Sequence, residues 1–119
     1  MTETLYDRLG ATEGITKIAN DLVDNHVRNP LIGRRFAQAN VDGLKKAATA
    51  FVVSGTGGPN IYEGKDMIGT HKGMNINGDE FVAVLDDALN AMEKNNVGQR
   101  EKEEIVYILV SMRKEVMGQ

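Results

Sequence analysis

The chain has 119 residues, 41% of them apolar, and a formal net charge of −3 at pH 7. This length and composition predict one domain, residues 1–119, around one hydrophobic core. The absence of a basic run and the low aromatic content of 5% argue against a nucleic-acid partner. No apolar stretch approaches the ~20 residues of a membrane span, and we expect no signal peptide. The absence of cysteine excludes disulfides and thiolate metal sites, and is compatible with the cytoplasm, where we expect the protein to act.

The first half of the chain predicts three helices. Residues 5–10 are typical of a short helix closed by Gly10, and Thr12 is expected to cap a second helix that ends at Asn29-Pro30. Asn40 is expected to cap a third helix, which the glycine-rich residues 54–59 terminate. The second helix has an inward stripe of Ile15, Ile18, Ala19, Leu22 and His26, with Val23 and Val27 at its edge; the third has Leu44, Ala47, Ala48, Phe51 and Val52.

The second half predicts a short helical segment before His71 and then two longer helices. Asn77 and Glu80 have the spacing of a capping box at the start of the first longer helix, and the last helix is expected to begin near Gln99. Their stripes are Phe81, Val84, Leu85, Ala88 and Met92, and then Ile105, Ile108, Leu109, Met112 and Val116. Tyr107 lies off the last stripe and is expected at the surface. The pattern is therefore all-α, with four longer helices and two short ones.

His71 is the residue that points to chemistry. Met67 and Ile68 lie four and three residues before it, so the three share one helical face. An imidazole on an apolar face needs a hydrogen-bond partner, a charge or a metal, and a satisfied core histidine is the simplest case. With two histidines and no cysteine, a tetrahedral zinc site is a poor match. A planar apolar group such as haem needs only one protein ligand, and would stabilise a segment too short to be stable alone.

Several motifs in series resemble the truncated haemoglobins, most closely their first group, over nearly the whole chain without a gap. The matching residues are Leu5 to Gly10, Asn29-Pro30, Phe36, Phe51, Gly57-Gly58-Pro59, Tyr62 to Met67, His71-Lys72-Gly73-Met74 and Phe81. The resemblance implies a two-over-two helical sandwich around haem b, with His71 as the proximal iron ligand. It implies a haem lining of Phe36, Leu44, Ala48, Met67, Ile68, Ile76, Phe81, Val84 and Leu109, with Arg35, Lys65 and Lys72 as candidate propionate partners.

The chain departs from this family on the distal side of the haem. The family's usual phenylalanine–tyrosine pair is replaced by Leu22 and Val23, and its glutamine by Ala48, near Leu44 and Ala47. None of these side chains can donate a hydrogen bond. Such a donor is worth roughly 1.5–3 kcal/mol to the partly negative oxygen of dioxygen. We therefore expect dioxygen to leave faster here, and carbon monoxide and nitric oxide to be less affected.

Two other side chains are candidates for the distal role. Lys46 lies one position off the apolar stripe, and its long stem could bring an amine towards the iron, although lysine heads usually reach water. His26 lies on the inward stripe one turn beyond Leu22 and Val23. It is either a buried histidine bonded to a backbone carbonyl or a group that bonds the ligand or the iron.

Three functions compete. The resemblance implies a haem protein that binds oxygen, carbon monoxide or nitric oxide reversibly, for storage, transport or sensing. A haem redox enzyme is the alternative: a nitric oxide dioxygenase, which needs an electron-donating reductase, or a peroxidase-like catalyst, which needs a distal acid–base group that His26 alone could supply. A cofactor-free helical interaction module is the third.

Overall fold

The computed structural model describes residues 3–62 and 71–118, and the regular secondary structure of these ranges is helical. The helices are α1 (Leu5–Arg8), α2 (Ala11–Arg28), a 3₁₀ turn (Gly33–Phe36), α3 (Val41–Gly55), α4 (Gly78–Lys94), α5 (Gln99–Ser111) and α6 (Arg113–Val116). In the described part of the chain there is no strand, only a single parallel bridge between Ile76 and Met117. The all-α prediction is confirmed. The helical segment predicted before His71 falls on residues 63–70, outside the described residues.

Helix α2 is the centre of the packing. It contacts α3, α4, the 3₁₀ turn and α1, while α5 packs against α4 and α1. The stripes predicted for α2, α4 and α5 face these contacts, and Ile15, Val53 and Met92 are fully buried between the helices. The stripe predicted for α3 is wrong in part, because Ala47 is exposed and the fully buried residue of that helix is Val53. Arg8 on α1 forms ion pairs with Glu101 and Glu104 on α5. Within the described residues, no helix is both long enough and apolar enough to cross a membrane.

The predicted helix caps are confirmed at two of three positions. The Asn40 side chain accepts from the backbone N–H of Gly43, and Asn77 and Glu80 form the full capping box of α4. Thr12 is not a cap, because α2 already begins at Ala11 and Gly10 occupies the N-cap position. Gly10 has φ of 93°, a left-handed conformation that suits glycine and that lets the chain turn directly from α1 into α2.

The last predicted helix is divided in two. Helix α5 ends at Ser111, Met112 caps it, and α6 covers only Arg113–Val116. Tyr107 is 75% exposed, which confirms its predicted surface position.

Candidate functional site

A cavity of about 390 Å³ opens between α2, the 3₁₀ turn, α3, α4 and the connector that begins at His71. Its walls are mainly apolar. The lining residues are His26, Ile32, Arg35, Phe36, Ala39, Leu44, His71, Met74, Ile76, Glu80 and Val84. Both histidines of the chain therefore line one cavity.

A tight turn fixes the connector that carries His71. The N–H of Met74 donates to the carbonyl of His71 at 3.1 Å, and both Gly73 and Asn75 have left-handed backbones, with φ of 84° and 47°. Ile76 then pairs with the C-terminal segment, since its carbonyl accepts from the N–H of Gly118 at 3.1 Å. The connector is thus held at two points, and His71 is half-buried against the cavity.

Arg35 ties three elements together at one wall of this cavity. Its guanidinium donates to both carboxylate oxygens of Glu80, at 2.5 and 3.0 Å, and to the carbonyl of Met74 at 3.0 Å. These hydrogen bonds hold the pKa of Glu80 below its usual range and raise that of Arg35. Glu80 also accepts from the N–H of Asn77, so the same carboxylate secures the first turn of α4. Arg35, one of the predicted propionate partners, is already engaged by a buried carboxylate.

A second polar group on the cavity wall joins α2 to α4. The Nδ1 atom of His26 lies 2.7 Å from Oδ2 of Asp87, and Asn29 donates to both oxygens of that carboxylate at 3.1 and 3.2 Å. The His26 ring stacks on Phe36, with centroids 5.8 Å apart and planes inclined by 13°. The expected backbone-carbonyl partner of His26 is therefore a carboxylate instead.

The structure brings fewer than half of the predicted site residues to the His71 cavity. Those that line it are His26, Arg35, Phe36, Leu44, Ile76 and Val84 together with His71. Phe81 is buried nearby on α4, and Val23 is buried on α2, neither of them on the cavity wall. Ala48 is half-buried, whereas Lys46, Ala47 and Lys72 are exposed. Lys65, Met67 and Ile68 lie outside the described residues.

Leu22 and Leu109 line a second, smaller cavity of about 50 Å³ among α2, α3, α4 and α5. Its lining is entirely apolar: Leu9, Ile15, Ile18, Ala19, Leu22, Val52, Ala88, Met92, Ile105 and Leu109. The stripes correctly placed both leucines inside the molecule, but spacing alone does not say which of two cavities a stripe residue faces.

Asp87 is the functional candidate that the sequence reasoning missed. It lies three residues after Val84, which places it beside the inward stripe of α4 rather than on the solvated face. A carboxylate at such a position needs a partner. That requirement, together with the inward position of His26, is a signal that could have suggested the pair.

The cavity has the chemistry that haem requires. Its volume falls within the range of about 300–1,000 Å³ common for cofactor sites, and its apolar walls suit a porphyrin. No cluster of three or more metal-ligating side chains exists among residues 3–62 and 71–118, so a bare metal ion has no ready site in that part of the chain. A haem iron needs only one protein ligand, and His71 lies on the cavity wall.

Comparisons with known proteins agree with this geometry. The family model of the bacterial-like globins matches residues 4–118. A group 1 truncated haemoglobin of Tetrahymena pyriformis is 25% identical over 116 residues, which are 98% of this chain and 96% of that protein.

Solved structures give the same result. The crystal structure of the Tetrahymena pyriformis truncated haemoglobin in its Fe(III) form matches with a TM-score of 0.94, covering 98% of this chain and 100% of that one. The 2/2 haemoglobin of a Synechococcus species, with covalently attached haem, has the same fold at a TM-score of 0.89 and 20% identity, over 97% of this chain and 98% of that one. The chain therefore belongs to the bacterial-like globins, the truncated haemoglobins.

Proposed function

We propose that this chain binds haem b through His71 and that the bound haem would reversibly bind a diatomic gas (oxygen, carbon monoxide or nitric oxide). The observation that carries the proposal is the mainly apolar cavity with His71 on its wall, in a chain of the truncated haemoglobin family. The Fe(III) form of the Tetrahymena relative supports it. Haem b, when bound, supplies an iron atom with one coordination position for the protein and one for a small ligand.

The chain's own residues supply the rest of the site. Phe36, Ile76 and Val84 offer apolar contacts to a porphyrin, and the turn after His71 keeps the imidazole at the cavity. Five further haem contacts remain predictions: those of Phe81, Met67, Ile68, Ala48 and Leu109. The Arg35–Glu80 pair braces the connector against α4, because Arg35 bonds the carbonyl of Met74 as well as Glu80.

The distal side offers dioxygen little hydrogen bonding. Leu44 lines the cavity, and Val23 and Ala48 are likewise without donors. Since a donor to dioxygen is worth roughly 1.5–3 kcal/mol, we expect weaker retention of oxygen than of carbon monoxide, relative to truncated haemoglobins that have the tyrosine and glutamine.

Titration of the purified chain with haem tests this proposal. We expect uptake of one haem per chain with a Soret band, and reversible spectral changes when the reduced protein meets carbon monoxide. A chain that folds fully and takes up no haem would overturn the proposal in favour of the cofactor-free module.

A further inference from the structure

Several hydrogen bonds hold the pair formed by His26 and Asp87 in place. Asn29 donates to both oxygens of Asp87, and its own Oδ1 accepts from the backbone N–H of Leu31 at 2.9 Å. Asn25 donates to the backbone carbonyl of Asp87 at 3.0 Å. The side chains of His26 and Asp87 are each only 13% exposed. These hydrogen bonds fix the orientation of the Asp87 carboxylate, and the carboxylate in turn orients the His26 imidazole.

This arrangement fixes the hydrogen-bonding character of the ring. An ionised carboxylate only accepts hydrogen bonds, so Nδ1 of His26, at 2.7 Å from Asp87, carries the proton. In the neutral imidazole the other nitrogen, Nε2, then has a lone pair and accepts. Within residues 3–62 and 71–118 no hydrogen bond to Nε2 is present, and no side-chain nitrogen or oxygen is fully buried without a partner. Nε2 is thus accessible on a ring that lines the cavity.

The other charged groups on the cavity wall already have hydrogen-bond partners. Arg35 and Glu80 satisfy each other and the start of α4. His71 is the proposed iron ligand. Of the described lining residues, His26 is the polar group left on the side of Phe36 and Leu44, and the Nε2 of its neutral ring can only accept a hydrogen bond.

We infer that His26 makes this site selective for protic ligands, small acids H–X such as hydrogen cyanide or hydrogen sulfide that bind ferric haem as the anion X⁻. This inference rests on the proposed function and names its ligand class. Because Nε2 of His26 accepts and does not donate, it offers no hydrogen bond to bound dioxygen. It can, however, take the proton that such an acid must lose. Asp87 is the positioning residue, because it orients the ring and stabilises the imidazolium that forms.

The step balances without a redox partner. Nε2 of His26 would take the proton as the H–X bond breaks, and X⁻ would keep the electron pair with which it could bind a ferric haem. The imidazolium is paired with Asp87 through Nδ1, so no net charge is left unpaired between the two side chains. Nothing is oxidised or reduced.

The test compares a protic ligand with an aprotic one on haem-loaded protein. Stopped-flow absorbance would give the association rate of cyanide with the ferric form and of carbon monoxide with the ferrous form, at one pH near neutrality. We expect His26→Leu to slow cyanide by about tenfold or more, as is typical for loss of a proton-accepting group. The carbon monoxide rate should change less than twofold.

Asp87→Asn probes the positioning role, with Asp86→Asn as its matched control on the exposed face of the same helix. Asp87→Asn should lower the ratio of cyanide to carbon monoxide rates by about three- to tenfold, whereas Asp86→Asn should leave that ratio unchanged. A merely structural role would alter both rates together. In the haem-free chain, nitrogen NMR should show the Nδ1-protonated tautomer of His26, and Asp87→Leu should abolish that preference.

The outcomes separate this inference from the proposed function. Failure of the wild-type chain to take up haem overturns both. Normal haem uptake and carbon monoxide binding, with equal cyanide rates in wild type and His26→Leu, overturns only the role of His26. A low-spin six-coordinate ferric spectrum that becomes high-spin in His26→Leu would make His26 an iron ligand and would also overturn it.

Discussion

Under the proposed function, Leu44 is the residue that we expect to influence dioxygen dissociation most. It projects from α3 into the cavity that His71 also lines, and its side chain offers no hydrogen bond. The imidazole of His26 lines the same cavity, and its Nδ1 is already paired with Asp87. We therefore expect this globin to retain dioxygen less well, relative to carbon monoxide, than globins with a hydrogen-bond donor at this position.

Replacing Leu44 by glutamine should restore a donor. We expect Leu44→Gln to slow dissociation of dioxygen by one to two orders of magnitude, because the added hydrogen bond is worth roughly 1.5–3 kcal/mol. Flash photolysis or stopped-flow mixing would measure the rate. Leu44→Met is the control of similar volume, and carbon monoxide dissociation should change little in either variant. Equal oxygen rates in all three proteins would show that Leu44 does not face the ligand.

At the scale of elements, the start of α4 depends on one carboxylate with several partners. Glu80 accepts from Arg35 on the 3₁₀ turn and from the N–H of Asn77, and Arg35 reaches on to the connector at Met74. The 3₁₀ turn, the connector after His71 and α4 are consequently coupled through two side chains. Weakening this pair should loosen the cavity wall as well as the helix end.

The stabilisation that the Arg35–Glu80 pair provides should depend on pH. Hydrogen bonds from Arg35 lower the pKa of Glu80 below its ordinary value of 4.5, so the stabilisation is complete above that value and is lost as the pH falls through the lower folded-state pKa. We expect Glu80→Gln to reduce the free energy of unfolding by about 1–2 kcal/mol at pH 7, with a difference from wild type that shrinks below about pH 4.5.

Urea unfolding followed by circular dichroism at several pH values would measure this difference. Asp79→Asn, on the exposed neighbouring residue, is the control. A difference for Glu80→Gln that stays constant down to pH 3.5 would contradict an ionised, paired Glu80.

At the scale of the whole molecule, the most deeply buried side chains and the His71 cavity lie in different places. Ile15, Val53 and Met92 are fully buried among α2, α3 and α4, and the small apolar cavity lies beside them. The His71 cavity lies at the 3₁₀ turn and the connector. Substitution of these buried residues and substitution on the wall of the His71 cavity should therefore have separate effects.

Met92→Ala should cost about 2–5 kcal/mol of unfolding free energy, because it enlarges a space that is already partly empty. Val110→Ala, at a position that is 44% exposed, should cost less than about 0.5 kcal/mol. Urea denaturation measures both. A Met92→Ala variant as stable as wild type would mean that the small cavity collapses without cost.

The features that could be predicted from the sequence are those that depend on the spacing of residues within one helix. The stripes of α2 and α4, the caps at Asn40 and Asn77 and the exposure of Tyr107 follow from periodicity and capping chemistry, and the structure has them. On α3 the same periodicity missed the buried Val53 and placed the exposed Ala47 on the inward face. The partner of His26 did not follow, since Asp87 is 61 residues away along the chain and is brought close only by the packing of α2 on α4. Likewise, the spacing that placed Leu22 on the inward face could not assign it to the smaller cavity.

His71 as the proximal ligand is the central claim, and imidazole rescue of His71→Gly tests it most directly. The variant should bind haem weakly and lack the spectrum of an imidazole-bound ferrous haem, because it has lost the proposed iron ligand. Added imidazole should restore that spectrum by filling the space that the side chain has left. His26→Gly, treated identically, should retain the wild-type proximal spectrum without added imidazole. A His71→Gly protein whose haem affinity and ferrous spectrum match the wild type would contradict the account.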